Sequence, residues 1–388
     1  MTLDHPLARR LGRILAGLAL LGLAAYAGSV VLVINSAEFE ADSLMIDFTA
    51  FWGAARLAVE GQALAAFQPA LLEAAQGARD LGPYDAMPWL YPPGYLALIA
   101  PLGLLPFSAA LILFGAASAA AFLLAIRPLA VPGALPWLLA APATLLSLAL
   151  GNNGLLSAAC IAAALTSLGR GDQRQAGLWI AALTLKPSLG LLIPPVLLAA
   201  RQWRAFGWAA AGTVAIAALS TAVFGAGYWP LFLQSLAEGT QRMEGGNAPL
   251  DRMITWYGFL RTAGLPHGTA LAGQAASSLA AIAAVALLWS RRAAPFELKA
   301  AAFCFALPLA TPYAYLYEMT FGLLGMLFLL RWRAGWHGSC WALMAVLWFV
   351  PAIGLVTAGA LPVALFAAPL MSLILVLTLR QALRPAAA

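Results

Sequence analysis

Residues 205–223 read AFGWAAAGTVAIAALSTAV and contain no charged side chain. A helix of this length rises about 28 Å, close to the roughly 30 Å thickness of the hydrocarbon core of a bilayer. Similar apolar runs occupy residues 14–33, 271–289 and 342–361. Backbone groups in lipid must find their hydrogen bonds within the protein, so each run is predicted to be a membrane-spanning helix.

The composition extends this prediction to the whole chain. Hydrophobic residues make up 63% of the 388 positions and charged residues 9%, whereas a soluble domain carries about 25% charged residues. We therefore expect an all-α polytopic membrane protein that forms one domain over residues 1–388, with roughly 10–12 spans by the length rule. Two stretches remain open. Residues 94–126 form one kinked span or two short ones divided at Pro106, and residues 176–200 form one long helix or a re-entrant pair broken at Lys186–Pro187.

The placement of the arginines predicts the topology. They cluster at short junctions between apolar runs, which is typical of cytoplasmic loops, and the net charge of +6 therefore reflects topology and indicates no nucleic-acid partner. Residues 14–33 follow such a cluster and are interpreted as an uncleaved first span. Two outer loops are then expected at about residues 35–92, where acidic residues outnumber basic ones, and at about residues 225–266.

Neither the cysteines nor the histidines form a recognisable site. The three cysteines are scattered in or beside apolar runs, and the three histidines lie far apart in the sequence: Cys160, Cys304, Cys340, His5, His267 and His337. This pattern favours buried thiols over a disulfide framework. We predict no metal site and no cofactor.

The first outer loop contains an acidic residue directly before an amphipathic segment. Apolar residues follow Asp47 at helical spacing and predict a helix along the membrane interface: Phe48, Phe51, Trp52, Ala55 and Val59. Aspartate is a preferred N-cap residue, so Asp47 either caps this helix or serves a site at the membrane surface.

Three further features carry polar groups at or within apolar surroundings. Tyr91 belongs to an aromatic and proline cluster at re-entry into the membrane, and Asn152 lies in the polar turn Gly151–Gly154. Lys186 follows an apolar run and precedes a proline that breaks the helix. A cation near the bilayer centre costs roughly 2.5–3.5 kcal/mol on insertion scales, so such residues usually serve a site. The alternatives are an interface anchor, a simple turn and a lysine that snorkels to the interface.

A last cluster, residues 311–318, reads TPYAYLYE and is predicted at the outer end of a helix. On a helix, Tyr313 and Tyr317 would share one face and Glu318 would lie one position beyond. The tyrosines fit an aromatic belt at the interface. A carboxylate at the start of an apolar run indicates a functional site.

The order of these motifs resembles glycosyltransferase family 87, a family of polytopic GT-C enzymes related to polyprenol-phosphate-mannose-dependent mannosyltransferases. The resemblance runs from about residue 47 to residue 318. It consists of the acidic residue before the interfacial helix, Ala55-x5-Gly61, Tyr91-Pro-Pro, Pro101-Leu-x2-Leu-Pro106, Gly151-Asn152, Ala176-Gly-x3-Ala-x4-Lys186-Pro and Pro312-Tyr-x3-Tyr317-Glu318. Asn152 stands where many members carry glutamine, and Glu318 where many carry aspartate.

The resemblance implies a role for each of these positions. Asp47 matches the acid of the first loop, which is the usual candidate for the catalytic base in this class. Lys186, with help from Arg56, would bind the phosphate of the donor. The remaining candidates for substrate binding are Tyr91, Asn152, Tyr313 and Glu318.

The resemblance also implies the reaction and its setting. The enzyme would be a hexosyltransferase that moves a sugar, with mannose the first candidate, from a polyprenyl-phosphate donor to a hydroxyl of a glycolipid or glycan, with inversion. Such an enzyme would lie as a multi-pass protein in the inner (plasma) membrane, with its active site facing away from the cytoplasm. One base suffices, because the lipid phosphate is a stable leaving group, in contrast to the carboxylate pair of glycoside hydrolysis. The alternatives are a polytopic transporter of a lipid-linked or small polar substrate and a non-catalytic membrane scaffold.

Overall fold

The computed structural model describes residues 47–77, 88–245, 248–332, 338–356 and 362–383, with individual positions between 6 and 24. In these ranges the chain forms helices joined by short turns, which confirms the all-α prediction. The α-helices are α1 (Phe48–Val59), α2 (Pro69–Gln76), α3 (Pro93–Ile99), α4 (Phe107–Ile126), α5 (Ala134–Leu139), α6 (Pro142–Ala149), α7 (Gly154–Gly169), α8 (Gln173–Ala182), α9 (Ile193–Ala199), α10 (Trp203–Phe224), α11 (Tyr228–Glu244), α12 (Trp256–Thr262), α13 (His267–Ser290), α14 (Phe296–Leu309), α15 (Thr320–Trp332), α16 (Gly338–Val356) and α17 (Ala364–Ala382).

Four helical segments in the described part of the chain are long and apolar enough to cross a membrane. They are Phe107–Leu129, Trp203–Phe224, His267–Ser290 and Leu365–Ala382. Shorter apolar segments lie at Pro93–Leu104, Gly154–Gly169, Pro187–Ala199 and Cys340–Gly354. These segments confirm a polytopic membrane protein, while the total of roughly 10–12 spans stays a prediction.

The apolar runs predicted from sequence fall on these helices. The runs at 205–223 and 271–289 lie inside α10 and α13. The run at 342–361 lies on α16 as far as Val356, and residues 357–361 are outside the described part of the chain. Most of the first predicted span, 14–33, also lies outside the described residues.

The long apolar helices expose large hydrophobic side chains along their length. Leu219 on α10 is 70% exposed, and Leu279 on α13 is 69% exposed. Apolar patches of this kind on a helical surface are typical of contact with a membrane. Both helices therefore expose an apolar surface, as expected of helices that face lipid.

A proline divides each of the two stretches for which the sequence left one helix or two as alternatives. Residues 94–126 divide at Pro106: α3 continues into a 3₁₀ segment, Ala100–Leu104, and α4 begins at Phe107. Residues 176–200 divide at Lys186, whose backbone is extended (φ −136°, ψ 83°), between the 3₁₀ segments Leu183–Leu185 and Pro187–Leu192. In both places the residue before proline is driven out of the helical region.

The buried residues form two large clusters. The larger one is built around α7, α14, α15 and α17, and α14 is buried along almost its whole length. The smaller one gathers α1, α3 and α4 with aromatic residues of the two predicted outer loops. The candidate site lies where the first turn of α1 meets the turn before α7 and the segment before α15.

The helix predicted after Asp47 is confirmed as α1, and most of its side chains are buried. A Cβ atom at Gly103 would lie 2.5 Å from the backbone carbonyl of Ala55, so α1 and the 3₁₀ segment Ala100–Leu104 approach at backbone distance. The close approach fixes α1 against the rest of the fold. Its predicted position along the membrane interface stays a prediction.

Residues 311–318 precede α15, but the prediction that Tyr313 and Tyr317 share one face of a helix is wrong. Tyr315 is extended (φ −118°, ψ 174°) and pairs with Met253 in an isolated antiparallel bridge. The Ile254 N–H also donates to the Ala314 carbonyl at 2.9 Å. These contacts with the second predicted outer loop hold the segment extended, and a 3₁₀ turn begins only at Leu316. Tyr313 and Tyr317 therefore do not share a helix face.

Candidate active site

A tight turn between α6 and α7 brings the first turn of α1 to the site. Gly151 has φ +60°, a conformation that favours glycine. The Phe48 N–H donates to the Leu150 carbonyl at 3.1 Å. This backbone contact places Asp47 directly beside the polar turn of residues 151–154.

Asp47 occupies the N-cap position of α1, but its side chain does not cap the helix. Its Oδ2 atom accepts a hydrogen bond from Asn152 Nδ2 at 2.6 Å. The other end of the Asn152 amide, Oδ1, accepts from the Gly154 N–H at 2.8 Å, so the orientation of the amide is fixed. The capping alternative is therefore not observed, and a site role for Asp47 stays a prediction.

Gly151 carries a testable prediction about this geometry. A Cβ atom there would lie 2.5 Å from Phe48 Cβ and 2.6 Å from Leu111 Cδ1. We expect Gly151→Ala to destabilise the protein by about 1–3 kcal/mol through overpacking, in addition to the backbone cost of the left-handed conformation. Thermal unfolding in detergent measures the effect.

Gly171→Ala is the matched control. Gly171 also has a positive φ, +77°, but a Cβ atom there would meet nothing within 4 Å. Both substitutions share the backbone cost, and only the one at Gly151 adds the clash. Equal losses of stability in the two variants would contradict the close approach of α1 to the turn.

The surroundings of Asp47 make its carboxylate more basic than usual. Burial raises the pKa of the carboxyl to about 6, against the lowering effects of the Asn152 hydrogen bond and the Lys186 charge. The charge of Glu318 raises it further, and a hydrogen bond from Tyr317 lowers it. Asp47 nevertheless keeps part of its surface exposed. With a pKa of about 6, the carboxyl group is mostly ionised at neutral pH.

Lys186 and Glu318 form an ion pair between Lys186 Nζ and Glu318 Oε1. The lysine side chain is 12% exposed and the glutamate side chain 1%. Glu318 Oε2 accepts from the Tyr315 N–H at 2.7 Å, which anchors the acid to its own turn. The ammonium also lies 5.4 Å from the centre of the Tyr317 ring, a cation–π distance.

Tyr91 completes the group around Asp47. It is partly exposed, and its ring lies 5.1 Å from Phe51 and 4.8 Å from Tyr95. Burial, followed by the charges of Asp47 and Glu318, raises the pKa of the Tyr91 hydroxyl, so it remains a hydrogen-bond donor.

The structure thus brings together five of the seven predicted site residues: Asp47, Tyr91, Asn152, Lys186 and Glu318.

The other two predicted residues lie apart from this group. Arg56 pairs with Glu60 on α1 at 3.7 Å and stacks over the Trp52 ring at 5.0 Å. The Tyr313 hydroxyl hydrogen-bonds to Thr240 Oγ1 at 2.7 Å. Their predicted roles in substrate binding stay predictions.

The structure adds two side chains to the site that the sequence analysis had not selected. Tyr317 lies beside both Asp47 and Lys186. Asn153 is fully buried beside Tyr91, next in sequence to Asn152. Each lies next in sequence to a predicted site residue: Tyr317 precedes Glu318, and Asn153 follows Asn152. The sequence thus points to both regions, but it cannot show which neighbouring side chain faces the site.

The comparisons with known proteins identify the family of the chain. Residues 89–312 match the family model described as glycosyltransferase family 87, which is more than half of the chain. The matched range contains Tyr91, Asn152 and Lys186, and Glu318 follows shortly after its end. No curated protein and no solved structure matches the chain.

Proposed function

We propose, from the premise that the chain belongs to glycosyltransferase family 87 and is a membrane glycosyltransferase, that its donor is a sugar linked to polyprenyl phosphate. The sugar is a hexose, with mannose the first candidate, and the acceptor is a hydroxyl group of a glycolipid or glycan. The observation that carries the proposal is the cluster of a carboxylate, Asp47, with a largely buried lysine, Lys186, whose charge acts on it.

In the proposed reaction Asp47 is the general base. The acceptor oxygen attacks the anomeric carbon and gives its proton to the Asp47 carboxylate, while the bond from that carbon to the phosphate oxygen breaks. The electron pair of the broken bond leaves on the polyprenyl phosphate. A single displacement of this kind inverts the anomeric centre. The hydrogen bond from Asn152 at 2.6 Å supports the role of Asp47, because it holds the carboxylate in one orientation.

Lys186 is the proposed cation for the phosphate. An ammonium has three donors, and the ion pair with Glu318 uses one of them. A positive charge placed where negative charge develops on the leaving group lowers the barrier, and it acts more strongly when it is shielded from water. The 12% exposure of the lysine side chain supports this role.

The proposed setting is the inner (plasma) membrane, with the site facing away from the cytoplasm. The arginine clusters predict a cytoplasmic position for the opposite ends of the helices. A donor with a polyprenyl tail is dissolved in the same membrane, which fits a site built next to apolar helices.

The experiment that tests the proposal is a transfer assay with purified protein in lipid nanodiscs. The donors are polyprenyl-phosphate-mannose, the matching glucose and galactose donors, and the nucleotide-linked forms of the same sugars. We expect transfer, with an inverted product, from a polyprenyl-phosphate donor and none from the nucleotide sugars. The proposal would be contradicted if a nucleotide sugar served as donor, or if none of the tested donors supported transfer.

The pH dependence of the reaction is a second expected outcome. The base must be ionised, and with a pKa of about 6 the ionised fraction of Asp47 rises from about one tenth at pH 5 to about nine tenths at pH 7. We expect kcat/KM to increase through this range and then to level off. A flat profile between about pH 5 and pH 7 would argue against Asp47 as the base.

A further inference from the structure

Three buried polar atoms beside the proposed site lack a hydrogen bond. They are both polar atoms of the Asn153 amide and the hydroxyl of Tyr95. Each residue is 0% exposed. Buried polar groups are nearly always paired in folded proteins, so an unpaired group of this kind needs an explanation.

Helix capping does not account for the unpaired amide of Asn153. Asn153 occupies the N-cap position of α7, where asparagine usually caps, yet its side chain makes no capping bond. Asn152 Oδ1 accepts from the Gly154 N–H at 2.8 Å, and Ser147 Oγ accepts from the Leu155 N–H at 3.3 Å. Two other side chains thus bond the first N–H groups of the helix and leave the Asn153 amide free for another role.

The neighbours of Asn153 do not pair with it either. The amide lies beside the hydroxyls of Tyr91 and Tyr95, near enough to influence both, but neither contact meets hydrogen-bond geometry. Other polar groups of the same aromatic cluster are paired: Trp89 Nε1 donates to the Tyr228 hydroxyl at 2.6 Å, and that hydroxyl donates to the Tyr91 carbonyl at 3.2 Å. Within this cluster, the buried polar atoms that lack a hydrogen bond therefore belong to Asn153 and Tyr95.

We propose that the Asn153 amide and the Tyr95 hydroxyl bind adjacent hydroxyl groups of a sugar ring next to Asp47. An amide offers donors and an acceptor, and a phenol offers one of each, which matches a pair of sugar hydroxyls. Tyr91 is partly exposed and lies against both groups, so its ring must turn aside to admit the sugar. The inference rests on the proposed function and adds the residues that recognise the sugar.

Stability provides the first test, because it does not depend on activity. Asn153→Leu removes polar atoms that have no partner, so we expect the melting temperature to stay the same or rise. Tyr95→Phe is expected to behave in the same way. The matched control is Gln274→Leu: Gln274 is 1% exposed, and its Oε1 accepts from the Tyr257 N–H at 3.0 Å. We expect the control to lower the melting temperature, since it leaves that N–H unpaired.

Binding and kinetics provide the second test. Asn153→Leu is expected to lower kcat/KM by about tenfold or more, which corresponds to the loss of one or two hydrogen bonds. If the subsite holds the donor sugar, the variant binds polyprenyl-phosphate-mannose more weakly and polyprenyl phosphate as wild type does. If it holds the acceptor sugar, donor binding is unchanged and KM for octyl mannoside rises. Either result supports the subsite.

The contrary outcomes are distinct. A fall in melting temperature for Asn153→Leu as large as that of Gln274→Leu would show that the amide is paired within the folded protein, and would overturn the inference. Unchanged kcat, KM and donor binding in Asn153→Leu would overturn it as well, while the proposed function would stand. If wild type neither binds nor uses any polyprenyl-phosphate sugar, the proposed function fails and the inference fails with it.

Discussion

Asparagine in place of Asp47 is expected to lower the rate of sugar transfer by about 10²–10⁴-fold, the usual contribution of a general base. The change conserves shape, and the new side-chain oxygen can still accept the hydrogen bond that Asn152 donates to Asp47 Oδ2 at 2.6 Å. It removes the proton acceptor and little else. We therefore expect the melting temperature and the affinity for the donor to stay close to those of wild type, with the loss confined to kcat. Transfer rates and donor binding in nanodiscs measure the two effects separately.

Asp172→Asn is the matched control for this prediction. Asp172 is exposed and caps α8, where its Oδ1 atom accepts from the Gln175 N–H at 2.9 Å. Asparagine caps helices about as well as aspartate does, so the control removes one carboxylate at no cost to the site. We expect it to transfer sugar as wild type does. An Asp47→Asn protein that keeps more than about a tenth of the wild-type rate would place the base elsewhere.

The parts of the fold that the sequence predicts correctly are those set by local signals. The apolar runs of α10 and α13 are long enough to identify on their own. The stretches around Pro106 and Lys186–Pro187 are left open between one helix and two, and the restriction that proline imposes on its neighbour decides for a break in both. The helix after Asp47 also follows from local spacing. In these places the deciding contacts lie within a few residues of the chain.

The pairings within the site depend on contacts that no local pattern contains. The partners Asp47 and Asn152 are 105 positions apart, and Lys186 and Glu318 are 132 apart. The error at residues 311–318 has the same origin, because the bridge from Met253 to Tyr315 holds that segment extended. The motifs identified the residue types of the site, but the fold alone determines which of them meet.

Methionine in place of Lys186 is expected to destabilise the protein by about 3–5 kcal/mol and to abolish transfer. It leaves the carboxylate of Glu318, whose side chain is 1% exposed, without its partner. Methionine fills a similar volume, so the loss is one of charge more than of packing. Lys299→Met is the control at the second lysine of the chain: the Trp289 side chain bonds only the backbone carbonyl of Lys299, and that bond survives the change.

Combining Lys186→Met with Glu318→Gln separates the two roles of the lysine. Glutamine in place of Glu318 needs no counter-charge and can still accept from the Tyr315 N–H, which Glu318 Oε2 now does at 2.7 Å. We expect the double variant to recover most of the lost stability, since paired removal of a buried ion pair is often neutral. We expect it to remain inactive, because the proposed cation for the donor phosphate has been removed. Glu318→Gln alone leaves Lys186 without its counter-charge, so we expect this variant to lose stability as well, while the lysine that it retains still supports transfer. A double variant that is both stable and active would mean that Lys186 serves only to neutralise Glu318, and the phosphate would then need another cation.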